Sequence, residues 1–217
     1  VSDNIAHDLR TPLTRLRNKI EVVAASSPES LRAELESSVA DADELLLTFA
    51  SLLRIARIES GTYSPTLEKI DLSVILADAA DLYQGVASER NVVLVSDTDP
   101  SLVINGDRNL MFQAISNLLD NAVKNSPNEG AVGLVATEEN NEVQLKIHDN
   151  GPGIPEEEYD RVLERFSRLD QSRSLPGSGL GLSVVKAVVE LHAGTLRFRN
   201  NDPGLMVELK FPSNKVL

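Results

Sequence analysis

The sequence predicts a multidomain chain of α and α+β class, in which a helical hairpin forming a dimeric four-helix bundle is followed by an α/β sandwich. Two observations carry this expectation. Up to Ser60 the apolar residues recur at spacings of three and four, the period of one buried helix face. After the break Gly61-Thr62-Tyr63-Ser64-Pro65 the pattern changes to strand-length runs alternating with helices. The expected division is a hairpin over residues 1–60, a linker over 61–66 and a second domain over 67–217.

In the first segment Ile5, Leu9, Leu13, Leu16, Ile20 and Val23 make one narrow stripe. Beyond Ser26-Ser27-Pro28-Glu29-Ser30, a second stripe runs through Leu31, Leu35, Val39, Ala42, Leu46, Phe49, Leu53 and Ala56. A two-helix hairpin cannot enclose its own apolar seam, so two copies packing as a four-helix bundle is the natural solution and a homodimer is expected. A helix continuous from Leu31 to Ser60 is roughly 45 Å long, too long for the core of a small globule. The chain opens at Val1 to Ile5 directly into helical pattern, with only Ser2 or Asp3 as caps, so its start is read as a cut.

In the second segment Asp71 to Arg90 reads as a helix with Leu72, Ile75, Leu76, Ala79 and Leu82 on one face. Strand-like runs follow at Val92 to Val95 and Leu102 to Ile104, then a helix over Arg108 to Asn125. Ala131 to Thr137 and Val143 to His148 read as a strand pair around Asn140-Asn141, and Leu182 to Leu191 as a helix ended by Gly194. A last pair, Thr195 to Arg199 and Leu205 to Phe211, flanks a turn at Asn201 to Gly204. Helices collected on one face of a mixed sheet make an α+β domain.

Bulk composition narrows the chemistry. Lys and Arg number 21 against 33 Asp and Glu, and a net charge of -12 opposes attraction to nucleic acid or to an anionic membrane. The absence of cysteine excludes disulfides, thiol catalysis and cysteine metal sites, and three scattered histidines leave no zinc site. No run reaches the roughly 18 apolar residues of a membrane span, and no signal peptide opens the chain.

Three short elements carry binding chemistry. Asn117 and Asn121 are four residues apart on the helix that also holds Leu118, Leu119 and Ala122, so both amides point the same way, with Lys124 one turn further on. A side-chain carbonyl is a hard oxygen ligand suited to Mg²⁺. Taken alone, the three are better read as a solvated polar face. The second element, His148-Asp149-Asn150-Gly151-Pro152-Gly153, ends a strand with an acid and two glycines, where backbone can approach a flat ligand and a carboxylate can accept its amino group. Asp-Asn-Gly alone is an ordinary turn. The third, Gly177-Ser178-Gly179-Leu180-Gly181-Leu182, opens a helix and offers free backbone N–H groups to an anion. It is not a P-loop, because no Lys-Ser or Lys-Thr follows the last glycine.

In this order the three resemble the N, G1 and G2 boxes of the histidine-kinase ATP-binding domain, and Glu164-Arg165-Phe166 resembles its F box. The resemblance implies ATP and Mg²⁺ as cofactors, with Asn121 as the Mg²⁺ ligand, Asn117 and Lys124 near phosphate and Asp149 on the adenine amino group. Gly151 and Gly153 would shape the adenine side. Gly177, Ser178, Gly179, Leu180, Gly181 and Leu182 would line a mobile lid. Arg165 and Arg168 stand as phosphate candidates or as solvated lid charges. Asn125 departs from the aromatic residue or His often found at that position. DNA gyrase, mismatch-repair proteins and heat-shock chaperones share the domain, which raises the alternative of an ATP-hydrolysing clamp. Those relatives activate water with a Glu where this chain has Asn117, which is no base.

The phosphoryl acceptor is expected at His7. It lies two residues from both Ile5 and Leu9, about 200° around the helix from each, and so faces away from the seam. Neutral imidazole can attack phosphorus when its other nitrogen keeps the proton, and the adjacent Asp8 can hold or take that proton. A lone exposed His usually does nothing. Here His7-Asp8-Leu9-Arg10-Thr11-Pro12-Leu13 resembles the H box of the HisKA dimerisation and phosphotransfer domain, and Pro12 should kink the helix just past His7. Thr11, one turn along, would orient a water for dephosphorylation, as its family counterpart does. His148 and His192 are read as structural.

The chain is thus identified with the sensor histidine kinases of two-component systems. The resemblance implies autophosphorylation of His7, transfer to an aspartate of a response regulator receiver domain, and phosphatase activity. It also implies a cytoplasmic location, as part of an inner-membrane sensor anchored by a region outside these residues. The alternative from another class is a non-catalytic dimeric scaffold that binds nucleotide.

Overall fold

The computed structural model describes residues 14, 16–23, 25, 28–63, 65–167 and 179–214. The chain divides into two compact units, Val1–Tyr63 and Ser64–Leu217.

In the first unit the described residues from 14 to 25 are helical, and α1 spans Glu29–Glu59. Arg17 ties the two helices into a hairpin, with Nε 2.7 Å from Asp43 Oδ1, while its Nη1 lies 3.0 Å from Glu21. Of the expected stripe on α1, Ala42 is buried, whereas Leu31 is 48 % exposed and Leu35, Val39, Leu46, Phe49, Leu53 and Ala56 are half-buried. Ile55, outside that stripe, is buried. Past the C-cap Ser60 of α1 comes Gly61, whose φ of +66° suits a residue without Cβ. Beyond it the N–H groups of Thr62 and Tyr63 both bond to Arg57 O, and the Arg57 guanidinium lies over the Tyr63 ring.

The second unit runs β1 (Glu68–Asp71), α2 (Leu72–Glu89), β2 (Val93–Thr98), β3 (Val103–Gly106), α3 (Arg108–Asn125), β4 (Ala131–Glu139) and β5 (Glu142–Asp149). Two 3-10 turns, Glu156–Glu158 and Arg161–Leu163, then precede α4 (Gly181–Leu191), β6 (Thr195–Asn200) and β7 (Leu205–Pro212). The main sheet has the order β2-β4-β5-β7-β6, with β2 and β4 parallel and the other neighbours antiparallel. β1 and β3 form a separate antiparallel pair. Alternate residues of the central strands, Val132, Leu134, Ala136, Val143, Leu145, Ile147, Val207, Leu209 and Phe211, are buried on the helical side. They pack under α3 and α4 to make an α/β sandwich.

Two expectations change. Leu82 is 57 % exposed, because the buried stripe of α2 continues from Leu76 and Ala79 to Ala87 and leaves Leu82 on the outer face. β1 was not expected at all. Its residues Glu68, Lys69, Ile70 and Asp71 carry no strand alternation, and it exists through pairing with β3.

The helices that carry the candidate site are capped and tied together. Asp107 caps α3 by accepting from the N–H groups of Asn109 and Leu110 at 3.0 and 3.1 Å. The Asp107 N–H donates to His192 Nε2 at 2.9 Å, while His192 Nδ1 lies 2.6 Å from Val188 O and donates to it. His192, 5 % exposed, thus clasps the start of α3 to the end of α4. Gly106 allows it, since a Cβ there would stand 2.7 Å from the imidazole ring. Burial is the main cause that lowers the His192 pKa, opposed by Val188 O and Asp107. The unfolded chain therefore takes up a proton near the ordinary 6.5 while the folded chain resists it, so stability is full above pH 6.5 and falls as pH drops below that value. The fall in melting temperature between about pH 7 and 5.5 is expected to be shallower in His192→Gln than in the parent chain.

Candidate nucleotide site

The site grows from three glycine-flanked junctions around α3. At the first, Asn117 Nδ2 donates to Gly181 O at 3.4 Å, at the opening of α4. A Cβ on Gly181 would lie 3.7 Å from Asn121 Nδ2 and 3.9 Å from Asn117 Cβ, so both amides stand against this helix terminus. Among the described residues no side chain caps α4. Its N-cap is the buried Leu180, whose carbonyl accepts from Val184 N–H and from Ser183 Oγ. The first-turn N–H groups, which an α-helix leaves without internal acceptors, point toward this junction and favour an anion there. Leu182 is half-buried in that turn.

At the second junction the C-terminus of α3 meets the loop after β5. A Cβ on Gly151 would stand 2.4 Å from Asn125 O, so only glycine allows this approach. The loop is organised by Asp149, which is 6 % exposed. Its Oδ1 accepts from the N–H groups of Gly151 at 2.8 Å and Leu205 at 3.3 Å, and its backbone O accepts from Asn201 Nδ2 at 2.8 Å. Oδ2 remains to accept from a ligand. Burial, the largest cause, raises the Asp149 pKa, against the lowering effect of the two N–H groups and of His148. Gly153, at φ +71°, packs on Gly204 O, which a Cβ would approach to 2.9 Å.

At the third junction Gly179, at φ +70°, packs on the backbone of Phe166, and a Cβ would meet Phe166 C and Ser167 O at 3.0 Å. Phe166 is 56 % exposed, and the adjacent Arg165 is exposed. Asn117, Asn121 and Gly181 are thus brought together along the second half of α3, and Gly151 beside Asp149 meets the last residue of the same helix, Asn125. Lys124 is turned elsewhere, its Nζ 2.6 Å from Asp120 Oδ2. His7, Asp8, Thr11, Arg168, Gly177 and Ser178 lie outside the described residues.

Sequence reasoning missed Asp120 as the partner of Lys124, although the i,i+4 spacing was a signal for it. It also missed Asn201, Gly204 and Leu205 as the clasp on Asp149. A Cβ on Gly204 would come within 1.9 Å of Asp149 O. No local signal links that turn to a carboxylate on another strand.

Residues 106–215 match the family of histidine kinase-, DNA gyrase B- and HSP90-like ATPases, which contains both kinases and hydrolases. Residues 1–61 of the same chain match the His Kinase A (phospho-acceptor) domain. The chain belongs to the sensor histidine kinases. Its two matched domains are those of a two-component protein-histidine kinase. The kinase is 35 % identical to the signal transduction histidine-protein kinase/phosphatase MprB of Mycolicibacterium smegmatis, over 100 % of this chain and 46 % of that protein. It spans about half the length of the curated relatives it matches. A solved structure of mycobacterial sensor histidine kinase MprB shares 32 % identity at a TM-score of 0.62, covering 70 % of this chain and all of that one. Full-length ShkA in complex with AMPPNP has a TM-score of 0.86 at 22 % identity, over 99 % of this chain and 46 % of that one, and shares the fold. No described helix of the kinase is long and apolar enough to cross a membrane.

Proposed function

We propose that the kinase moves the γ-phosphoryl group of ATP to His7 and then to an aspartate of a response regulator receiver domain, and that it also dephosphorylates that regulator. In this reading residues 1–60 form a homodimeric phosphotransfer bundle, 61–66 a linker and 67–217 the ATP-binding domain. The observation that carries it is the junction of Asn117 and Asn121 with the uncapped start of α4. That junction offers backbone N–H groups to a polyphosphate and amide oxygens to its cation but no general base at position 117, so phosphate can be held while water is not activated. Attack falls to a nucleophile outside the pocket.

The donor set at this junction fits Mg²⁺. The amide oxygen of Asn121 is a hard neutral ligand, and the ion takes few protein ligands when phosphate oxygens complete its shell. When bound, Mg²⁺ neutralises charge on the transferring phosphate. Asn117 and the α4 N–H groups position the phosphates, and Asp149 Oδ2 accepts from the adenine amino group. Lys124, once released from Asp120, adds a cation beside the phosphates. Asp8 would hold the His7 proton, and Thr11 would orient water in the phosphatase step.

Incubation with γ-labelled ATP and Mg²⁺, followed by acid and alkaline washes, tests the reading: label lost in acid and kept in alkali is expected. Acid-stable label, or release of inorganic phosphate without protein labelling, overturns it. Asp149→Asn is expected to weaken ATP binding by about tenfold or more, roughly 1.4 kcal/mol. The amide keeps an oxygen for the Gly151 and Leu205 N–H groups but turns a donor toward the adenine amino group, so two donors face each other. Calorimetric titration of both proteins with ATP measures it.

A further inference from the structure

The main sheet ends on β6, whose outer edge has no neighbour among the described strands. Along that edge lies an open cavity of about 320 Å³, lined on one side by Tyr159 and Asp160, between the two 3-10 turns, and by Leu163 of the second. On the strand side it is lined by four consecutive residues, Leu196, Arg197, Phe198 and Arg199. Successive side chains of a strand point to opposite faces. A cavity that touches all four therefore runs along the backbone edge, where N–H and C=O groups are open to another strand.

The two faces of this edge differ in chemistry. Leu196 and Phe198 pair with Leu209 and Val207, the helical side, and the Phe198 ring centroid lies 5.3 Å from that of Tyr159. Arg197 and Arg199 stand on the opposite, open face, in the same rows as Glu208 and Lys146 and as Met206 and His148. Arg199 reaches Glu208 at 3.4 Å, and Arg197 is exposed.

We propose that this edge is a docking site for an extended peptide of alternating acidic and apolar residues, which adds to β6 as a further strand. Its backbone bonds to the free edge, its apolar set packs beside Leu163 and the paired rings of Tyr159 and Phe198, and its acids lie beside Arg197 and Arg199. Asp160 on the turn side repels an acid placed in the apolar row, which sets the register. A second copy is a poor occupant, because β6 against β6 brings Arg197 and Arg199 close to their own counterparts. The inference rests on the sheet edge and stands apart from the nucleotide site.

The test is a proton–nitrogen NMR titration of the full chain with a capped seven-residue peptide alternating Glu with Val. Saturable shifts and slowed amide exchange confined to residues 195–200 and the turns are expected. Arg197→Glu is expected to weaken binding at least tenfold without changing ATP affinity, and a peptide carrying Lys in place of Glu is expected to bind that variant better than the parent chain. No shift at millimolar peptide overturns the proposal. So does equal binding of a block-scrambled peptide, or an edge already protected by self-association in the protein alone.

Discussion

His7→Gln is expected to reduce incorporation of label from γ-labelled ATP to background while leaving ATP affinity within about twofold of the parent chain. Glutamine keeps polarity and approximate size but has no basic nitrogen lone pair to attack phosphorus. The proposed nucleotide residues Asn117, Asn121, Asp149 and Gly181 belong to the other compact unit, so on that reading ligand binding does not depend on the imidazole. The other histidines are poor substitutes. Both ring nitrogens of His192 are engaged, one with Asp107 N–H and one with Val188 O, inside the core. His148 lies on the open sheet face, its ring against Gly133, where a Cβ would stand 2.2 Å from Nε2. Acid-labile label persisting in His7→Gln would move the acceptor to another residue. Loss of ATP affinity together with label would show that the substitution damaged the fold.

Asn121→Ala is expected to lower the labelling rate on the order of a hundredfold, the scale of losing one preorganised electrostatic contact in phosphoryl transfer. The fold should hardly notice. Among the described residues the Asn121 side chain makes no hydrogen bond within 3.5 Å, and its backbone carbonyl accepts from Asn125 Nδ2 at 2.7 Å. Alanine is a better helix former than asparagine, so the melting temperature should stay level or rise slightly. Asn117→Ala is the useful contrast, because its amide bridges to Gly181 O and joins α3 to α4. Rate against Mg²⁺ concentration separates the outcomes. A rise in the Mg²⁺ needed for half-maximal rate supports the ligand role, and a parent-like rate at every concentration removes it.

Much of the second domain was legible because its signals are local. The apolar period over Arg108 to Asn125 matches the observed helix, and Asp107 before it is an N-cap by residue type. Asn140-Asn141 between two alternating runs reads as a tight turn, and both residues have positive φ. The glycine segments were legible as places of close backbone approach, and Gly151, Gly153 and Gly179 each meet another element where a side chain would crowd. Leu82 misled because helix period alone does not say where a stripe drifts over a long helix. β1 escaped because four residues with three charges show no alternation.

By itself the sequence determined the element types apart from β1, the order of the glycine boxes and the family, and it nominated the candidate phosphate and adenine residues. These depend on residue type and short spacing, which tertiary context does not alter. Only the tertiary structure decided that β2 runs parallel beside β4, that Asn201 and Leu205 hold Asp149, and that His192 locks α3 to α4. Each of these joins residues tens of positions apart. Such pairings are selected by competition among many possible partners for one packed arrangement, and no local period or motif records which partner wins.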